Sequence, residues 1–326
     1  MADAGKERTE RFLVREAGHR ILAYLRHMAT LDERSLALFR ILVGLVVLYD
    51  IWLAWSTLDL WPGLQGFVDG LPFPFLLFGS ESWSLGVLLF LYAVVALGLL
   101  CGYRTRWCTL GTWILSAGYQ YAARYTADYH HEILCTLLFW CQFIDLGRRW
   151  SIDAWRRGRA TAPSRRPLLE CIGACFFTFT FAHIYLDNIV NKYGPAWRQD
   201  GTAVWFALKD LGLSSELGLW AVNHLPFELF WALTYAVVGI ETVAPLLIVS
   251  PWWRARTRVI GCFLLITLHS GLWVFMDLDA FPLTMIAGAC GLLPCVFWAW
   301  VHNRRQGAAG SQATATRKVP DSPVAP

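Results

Sequence analysis

The sequence predicts an all-α integral membrane protein, about eight transmembrane helices in one bundle, with both termini cytoplasmic. Two observations predict the class, and a third predicts the orientation. Hydrophobic residues make up 56% of the 326 positions and charged residues only 16%, with a mean hydropathy of +0.43. A soluble domain cannot bury that much apolar surface. Apolar windows of about 20 residues, the length that carries a helix across a bilayer, recur along the chain. Finally, 23 of the 28 Lys and Arg residues fall on alternate loops, four fall on the opposite set and Arg40 lies inside a span. Such an excess marks the cytoplasmic side. Eighteen Trp residues, many near the ends of apolar runs, suit the belts that aromatic side chains form at headgroup level.

Taken in order, residues 1–34 alternate Phe12, Leu13, Ile21, Leu22 and Leu25 with Lys6, Arg8, Arg11, Arg15, Arg20 and Arg26. That pattern reads as a basic amphipathic segment on an anionic leaflet or as a solvated arm. It has no cleavable apolar leader, so the first span is expected to direct insertion. The spans are placed at 35–55, 83–102, 107–125, 128–146, 167–190, 227–249, 258–276 and 282–302, within a multi-span domain over 35–302. Residues 56–82 carry acids but no base and are broken by Gly and Pro, which predicts an interfacial or re-entrant piece. Residues 191–226 form the largest outer connection, with an apolar patch around Trp205, Phe206 and Leu208. The segment 303–326, rich in Ala, Gly, Thr and Pro, predicts a disordered cytoplasmic tail. The nine cysteines include no CxxC and read as small packing residues.

The chemistry concentrates in Phe181 to Thr202. His183, Asp187 and Asn191 recur at four-residue spacing and share one helical face. Charge in lipid-facing sequence costs roughly 2.5 to 3.5 kcal/mol per residue, so that face is expected to turn into the bundle. His183 with Asp187 suits a proton relay or a packing hydrogen bond, and packing is the preferred reading. Lys192 leaves the span on the outer side. Along with His130 and His131 at the start of the fourth span and His269 in the seventh, it falls in the outer half. Asp277 and Asp279 follow on the rim. A Lys beside a desolvated cavity can act as a general base, and His can relay protons near neutral pH; a Lys ending a span also snorkels to headgroups. Asp50 and Glu241 are expected to face the bundle interior in structural bonds, and Arg40 to snorkel from the inner end.

Hydrolase, phosphate-loop and metalloprotease motifs are missing. His130 and His131 point about 100° apart on a helix and read as a poor metal pair, so no metal site is expected. The basic residues are fully used as topology signals, which disfavours nucleic-acid binding.

Three stretches together resemble the membrane domain of vitamin K-dependent gamma-carboxylases and the wider HTTM (horizontally transferred transmembrane) domain family. These are YHHEILCTLLFWCQFIDLGRRWSID from Tyr129, Val190 to Gly201 with Lys192 five residues before Trp197, and HSGLWVFMDLDAFPLTM from His269. The resemblance implies that Lys192 takes a proton from a reduced quinone of the vitamin K type. Oxygenation of that quinol then yields a base able to remove the γ-proton of a Glu side chain, with CO2 adding to the carbanion. His131 and His269 would join Lys192 as catalytic residues, Trp197 would shape the cofactor site, and His183, Asp187, Asn191 and Glu241 would be structural polar groups. It also implies a bacterial cytoplasmic membrane with the active face extracytoplasmic. Asn191 stands where the carboxylases have a second basic residue, and Asp277 and Asp279 where they are neutral. Two alternatives remain open: a non-catalytic factor for maturation or export of a secreted peptide, docking on 191–226, and a lipid or quinone transporter.

Overall fold

A computed structural model describes residues 15–25, 28–56, 82–122, 129–158 and 167–316. Among those residues the regular structure is helical, joined by short turns, with one isolated bridge between Ser214 and Met276. The helices are 15–25 (α1), Glu33–Ser56 (α2), Ser82–Cys101 (α3), Thr105–Ala122 (α4), Tyr129–Cys141 (α5), Ile152–Arg157 (α6) and Leu168–Asn191 (α7). They continue as Pro195–Arg198 (α8), Ala203–Lys209 (α9), Glu216–His224 (α10), Phe227–Val249 (α11), Arg254–Phe275 (α12), Phe281–Gly291 (α13) and Cys295–Thr316 (α14).

Among the described residues, four helices are long and apolar enough to cross a membrane: α2, α7, α11 and the Ala255–Phe275 part of α12. A fifth span exists if α13 and α14 count as one, although they meet at 87°. Each expected window contains a helix, but those of the second, third and fourth windows do not qualify as spans by length and hydropathy, and two windows differ in outline as well. The fourth, expected over 128–146, ends at Cys141; 13 residues rise only about 20 Å, short of the roughly 30 Å hydrocarbon layer. The eighth is broken after Gly291 because Pro294 cannot continue a helix. Of the segment expected to be a disordered tail, helix α14 runs to Thr316, and 317–326 lies outside the described residues. The expected re-entrant piece, apart from Ser56 and Ser82, also lies outside them, as does most of the basic segment before Arg15.

Packing follows from the apolar faces. Helix α7 buries Gly173, Ala174, Phe177, Phe181, Ala182 and Tyr185, one face at helical spacing. Small residues let neighbours approach: a Cβ on Gly288 of α13 would run into the Phe181 ring, and one on Gly44 of α2 would sit 2.9 Å from the Leu100 Cβ. Phe39 meets Phe177 edge to face at 5.1 Å, closing the centre of the main core.

One end of the bundle is basic and densely bonded. Arg40 does not snorkel. It is fully buried, and its guanidinium donates to the carbonyls of Leu99 (2.6 Å), Leu100 (2.5 Å) and Trp150 (2.5 Å). The first two belong to the last turn of α3, where helical carbonyls run out of intrahelical donors; Leu99 O also takes the Gly102 N–H at 3.0 Å, and Arg40 Nε has no hydrogen-bond partner among the described residues. Arg148 grips buried Glu170 of α7 through two parallel bonds of 2.7 and 2.5 Å. Arg258, also buried, faces Met28 and the Ile248 carbonyl.

Asp153 accepts the Arg104 and Thr105 N–H groups, at 2.9 and 2.7 Å, plus the Thr105 hydroxyl, and so caps α4. Burial alone would raise its pKa, but the Thr105 and Arg104 bonds outweigh burial, and the carboxyl titrates below the usual carboxylate range. Asp153→Ala should cost about 1 kcal/mol in thermal unfolding near neutral pH. Because the folded-state value is depressed, the difference from wild type is complete above the unfolded value of about 3.9 and shrinks as the pH falls through the folded one.

Candidate functional site

The opposite end of the bundle holds two buried polar clusters. The first forms where α7 stops. Gly194 and Pro195 prevent the helix from continuing, Lys192 takes the C-cap position, and Pro195 opens α8 as its first residue. Arg198, one turn on, donates to the carbonyls of Lys192 (2.7 Å) and Ile189 (2.9 Å), tying off the end of α7. With its backbone so fixed, Lys192 turns inward instead of snorkelling. Its ammonium donates to Glu241 Oε2 of α11 and lies 4.5 Å from the centre of the Trp197 ring. Glu241 Oε1 accepts from the Asn188 side chain at 3.1 Å, so both carboxylate oxygens are engaged. The side chains of Lys192 and Glu241 are only 13% and 7% exposed.

Within electrostatic range of Lys192 stands His269 of α12, which is 2% exposed. Its Nε2 shares a 2.9 Å hydrogen bond with the Tyr185 hydroxyl, and its ring meets Phe281 edge to face at 5.5 Å. Its Nδ1 has no hydrogen-bond partner among the described residues. Tyr185, Asn188 and the C-cap Lys192 lie at i, i+3 and i+7 along α7; Tyr185 is buried in the bundle, Lys192 is half-buried, and Asn188 reaches Glu241 from an exposed position.

The face of α7 that packs inward is not the predicted one. His183, Asp187 and Asn191 are exposed, and Asn191 bonds back to Asp187 on the same helix at 3.1 and 3.3 Å. The expectation that this stripe packs inside the bundle is therefore corrected. The apolar positions from Gly173 to Tyr185 fill the inner face and rotate the stripe outward.

His131 joins the second cluster, not the first. Its ring lies against that of His130, tilted by 39° with centres 3.9 Å apart, and 5.3 Å from the Tyr119 ring. His130 Nε2 is 3.2 Å from Asp50 Oδ1 of α2. Asp50, His130 and His131 are all buried. The two clusters share an end of the bundle: Tyr49, next to Asp50, contacts Trp273, one turn beyond His269, at 5.9 Å.

The structure thus brings Lys192, Trp197, Glu241 and His269 together and places His131 with Asp50. Sequence reasoning missed Tyr185, Asn188 and the pairing of His130 with Asp50. The signal for Tyr185 was the apolar face of α7; Asn188 lies off that face, and the third joins residues 80 positions apart, so neither left a sequence signal. A cavity of about 810 Å³ also opens at the basic end. Its arginines are largely engaged, Arg148 with Glu170, Arg157 with Asp145 and Arg156 over Tyr103.

No curated protein and no solved structure matches this chain. The HTTM domain family does, over residues 28–295, a stretch that includes both clusters. By that match over most of its length, the protein belongs to the HTTM domain family.

Proposed function

We propose that the protein is a membrane enzyme resembling vitamin K-dependent gamma-carboxylase, with the Lys192–Glu241 pair as its proton-handling centre. The observation that carries this reading is the buried ion pair itself, roofed by Trp197 and neighboured by His269. The donor set suits a reduced quinone. Two hydroxyl groups need two polar contacts, which Lys192 and the unpartnered His269 Nδ1 offer, and an aromatic ring suits Trp197 and Phe281. When bound, the quinol would supply the oxygen-dependent chemistry that generates a base strong enough to remove a glutamyl γ-proton, with O2 consumed in forming that base and CO2 as the acceptor of the resulting carbanion.

The chain's own part is the movement of protons. In the resting pair Lys192 is ammonium and Glu241 carboxylate, so a proton must shift toward Glu241 before the amine can accept one from a substrate hydroxyl. Asn188 holds Glu241 in position to receive it, and Trp197 stabilises the ammonium that re-forms. His131 acts from the neighbouring cluster, through the shape of the bundle end.

The accompanying topology is eight passes with both termini cytoplasmic and the Lys192 end extracytoplasmic, in a bacterial cytoplasmic membrane. Its support is the charge bias together with helices whose contacts alternate between the two ends. Arg40 and Glu170 mark one end, and Asp50 and Lys192 the other.

The test is quinol turnover in nanodiscs with reduced vitamin K, oxygen and labelled bicarbonate. Wild type should form epoxide and Lys192→Ala should lose at least about 100-fold, the lower range for removing an acid–base group. A second reading, a maturation factor for an exported peptide, is favoured by exposed Phe206, Leu211, Leu217 and Trp220 on the α9–α10 connection. Equal silence of wild type and variant, with retained peptide binding, would establish that reading instead.

A further inference from the structure

We propose that Asp50, His130 and His131 form a binding site for a first-row divalent transition-metal ion, separate from the Lys192 pair. One ligand atom from each residue lies within 4.8 Å of the others, and all three side chains are buried. Two imidazoles and one carboxylate with no thiolate are a ligand set for zinc, cobalt, nickel or ferrous iron, not for magnesium or calcium.

The sequence argued against this, because neighbouring residues on a helix diverge by about 100°. That angle fixes the Cβ directions only. In the first turn of α5 the side-chain torsions fold the two rings together to 3.9 Å, and the third ligand arrives from α2. Two unmet valences point to a missing partner. Asp50 Oδ2 and His130 Nδ1 make no hydrogen bond among the described residues, at 7% and 1% residue exposure. Buried polar atoms are normally paired, and a cation would engage one or both. The adjoining gap, bordered by Leu89, Tyr92, Tyr119 and His131, has essentially no free volume. An organic substrate does not fit there, while an ion needs only the ligands to close in by an ångström or so toward tetrahedral spacing.

The site uses none of the residues of the proton-handling pair, so the two readings fail independently. The experiment is Co2+ and Zn2+ binding to purified full-length protein after chelator treatment, read by visible cobalt d–d absorption, elemental analysis and Zn2+ competition. Wild type should bind one equivalent and show the cobalt bands. Asp50→Asn and His131→Ala should each weaken Zn2+ by more than the roughly 10- to 100-fold that loss of an outer hydrogen-bond partner costs. Lys192→Ala should bind normally. Wild-type protein, monodisperse in detergent, that takes up no stoichiometric metal would overturn the site. So would cobalt bands unchanged in both ligand variants.

Discussion

Glu241→Ala is expected to abolish quinol turnover and to destabilise the bundle by about 3 kcal/mol, the lower range for breaking a buried pair. The loss comes less from the attraction removed than from the ammonium left behind. Lys192 would remain only 13% exposed with its acceptor gone, beside a Trp ring that compensates for part of the charge at most. Asn188 would lose its partner as well. The double variant Lys192→Met with Glu241→Leu separates fold from chemistry. An apolar pair of similar volume should return thermal stability to near wild type while turnover stays absent. If Glu241→Ala turned over quinol at the wild-type rate, the pair would be a structural strut and the proposed proton route would be wrong.

Arg40→Met is expected to be at least as damaging to folding, by about 4 kcal/mol, without touching the candidate site. The substitution keeps most of the apolar stem but strips three carbonyls of a charged donor. Each charge-assisted bond contributes about 1.5 to 3 kcal/mol, and a carbonyl left buried costs about 1 to 3. Arg40→Lys should not rescue it, because Leu99, Leu100 and Trp150 lie on two separate chain segments that one ammonium cannot span as a planar fork does. Gly102, at φ +68°, is part of the same arrangement, since a Cβ there would sit 2.9 Å from the guanidinium. The measurement is thermal unfolding and yield of monodisperse protein in detergent. Wild-type stability for Arg40→Met would show that water enters to satisfy those carbonyls.

The spans were legible wherever a helix is buried by composition alone: α2, α7, α11 and α12 fall within a few residues of their windows. Helix α13 was legible in outline, and Gly291 with Pro294 announced its break, yet a hydropathy window averages across such a break. The site was legible by residue type and not by partner. Lys192, His269 and Glu241 stood out because ionisable groups in apolar sequence are costly. That Lys192 meets Glu241, 49 positions away, depends on how α7 and α11 pack. The four-residue spacing of His183, Asp187 and Asn191 identified a face correctly but could not say which way it turned. The larger apolar side chains of Phe177 and Phe181 decided that. Backbone spacing also could not show how close His130 and His131 come, because side-chain torsions bring their rings to 3.9 Å.

The Lys192–Glu241 pair is neutral as a unit, and this bears on how the membrane voltage acts on it. A proton passed within the pair travels about the length of a hydrogen bond, roughly 3 Å, a tenth of a hydrocarbon layer of about 30 Å. A full crossing is worth about 2.3 kcal/mol per 100 mV, so this step feels only about 0.2 kcal/mol. On the proposed route, proton handling at the site would be nearly electrically silent, whereas carrying a charged species from one side of the bundle to the other would not. A pair that is neutral as a unit would thus leave the proposed acid–base chemistry nearly independent of whether the membrane is energised.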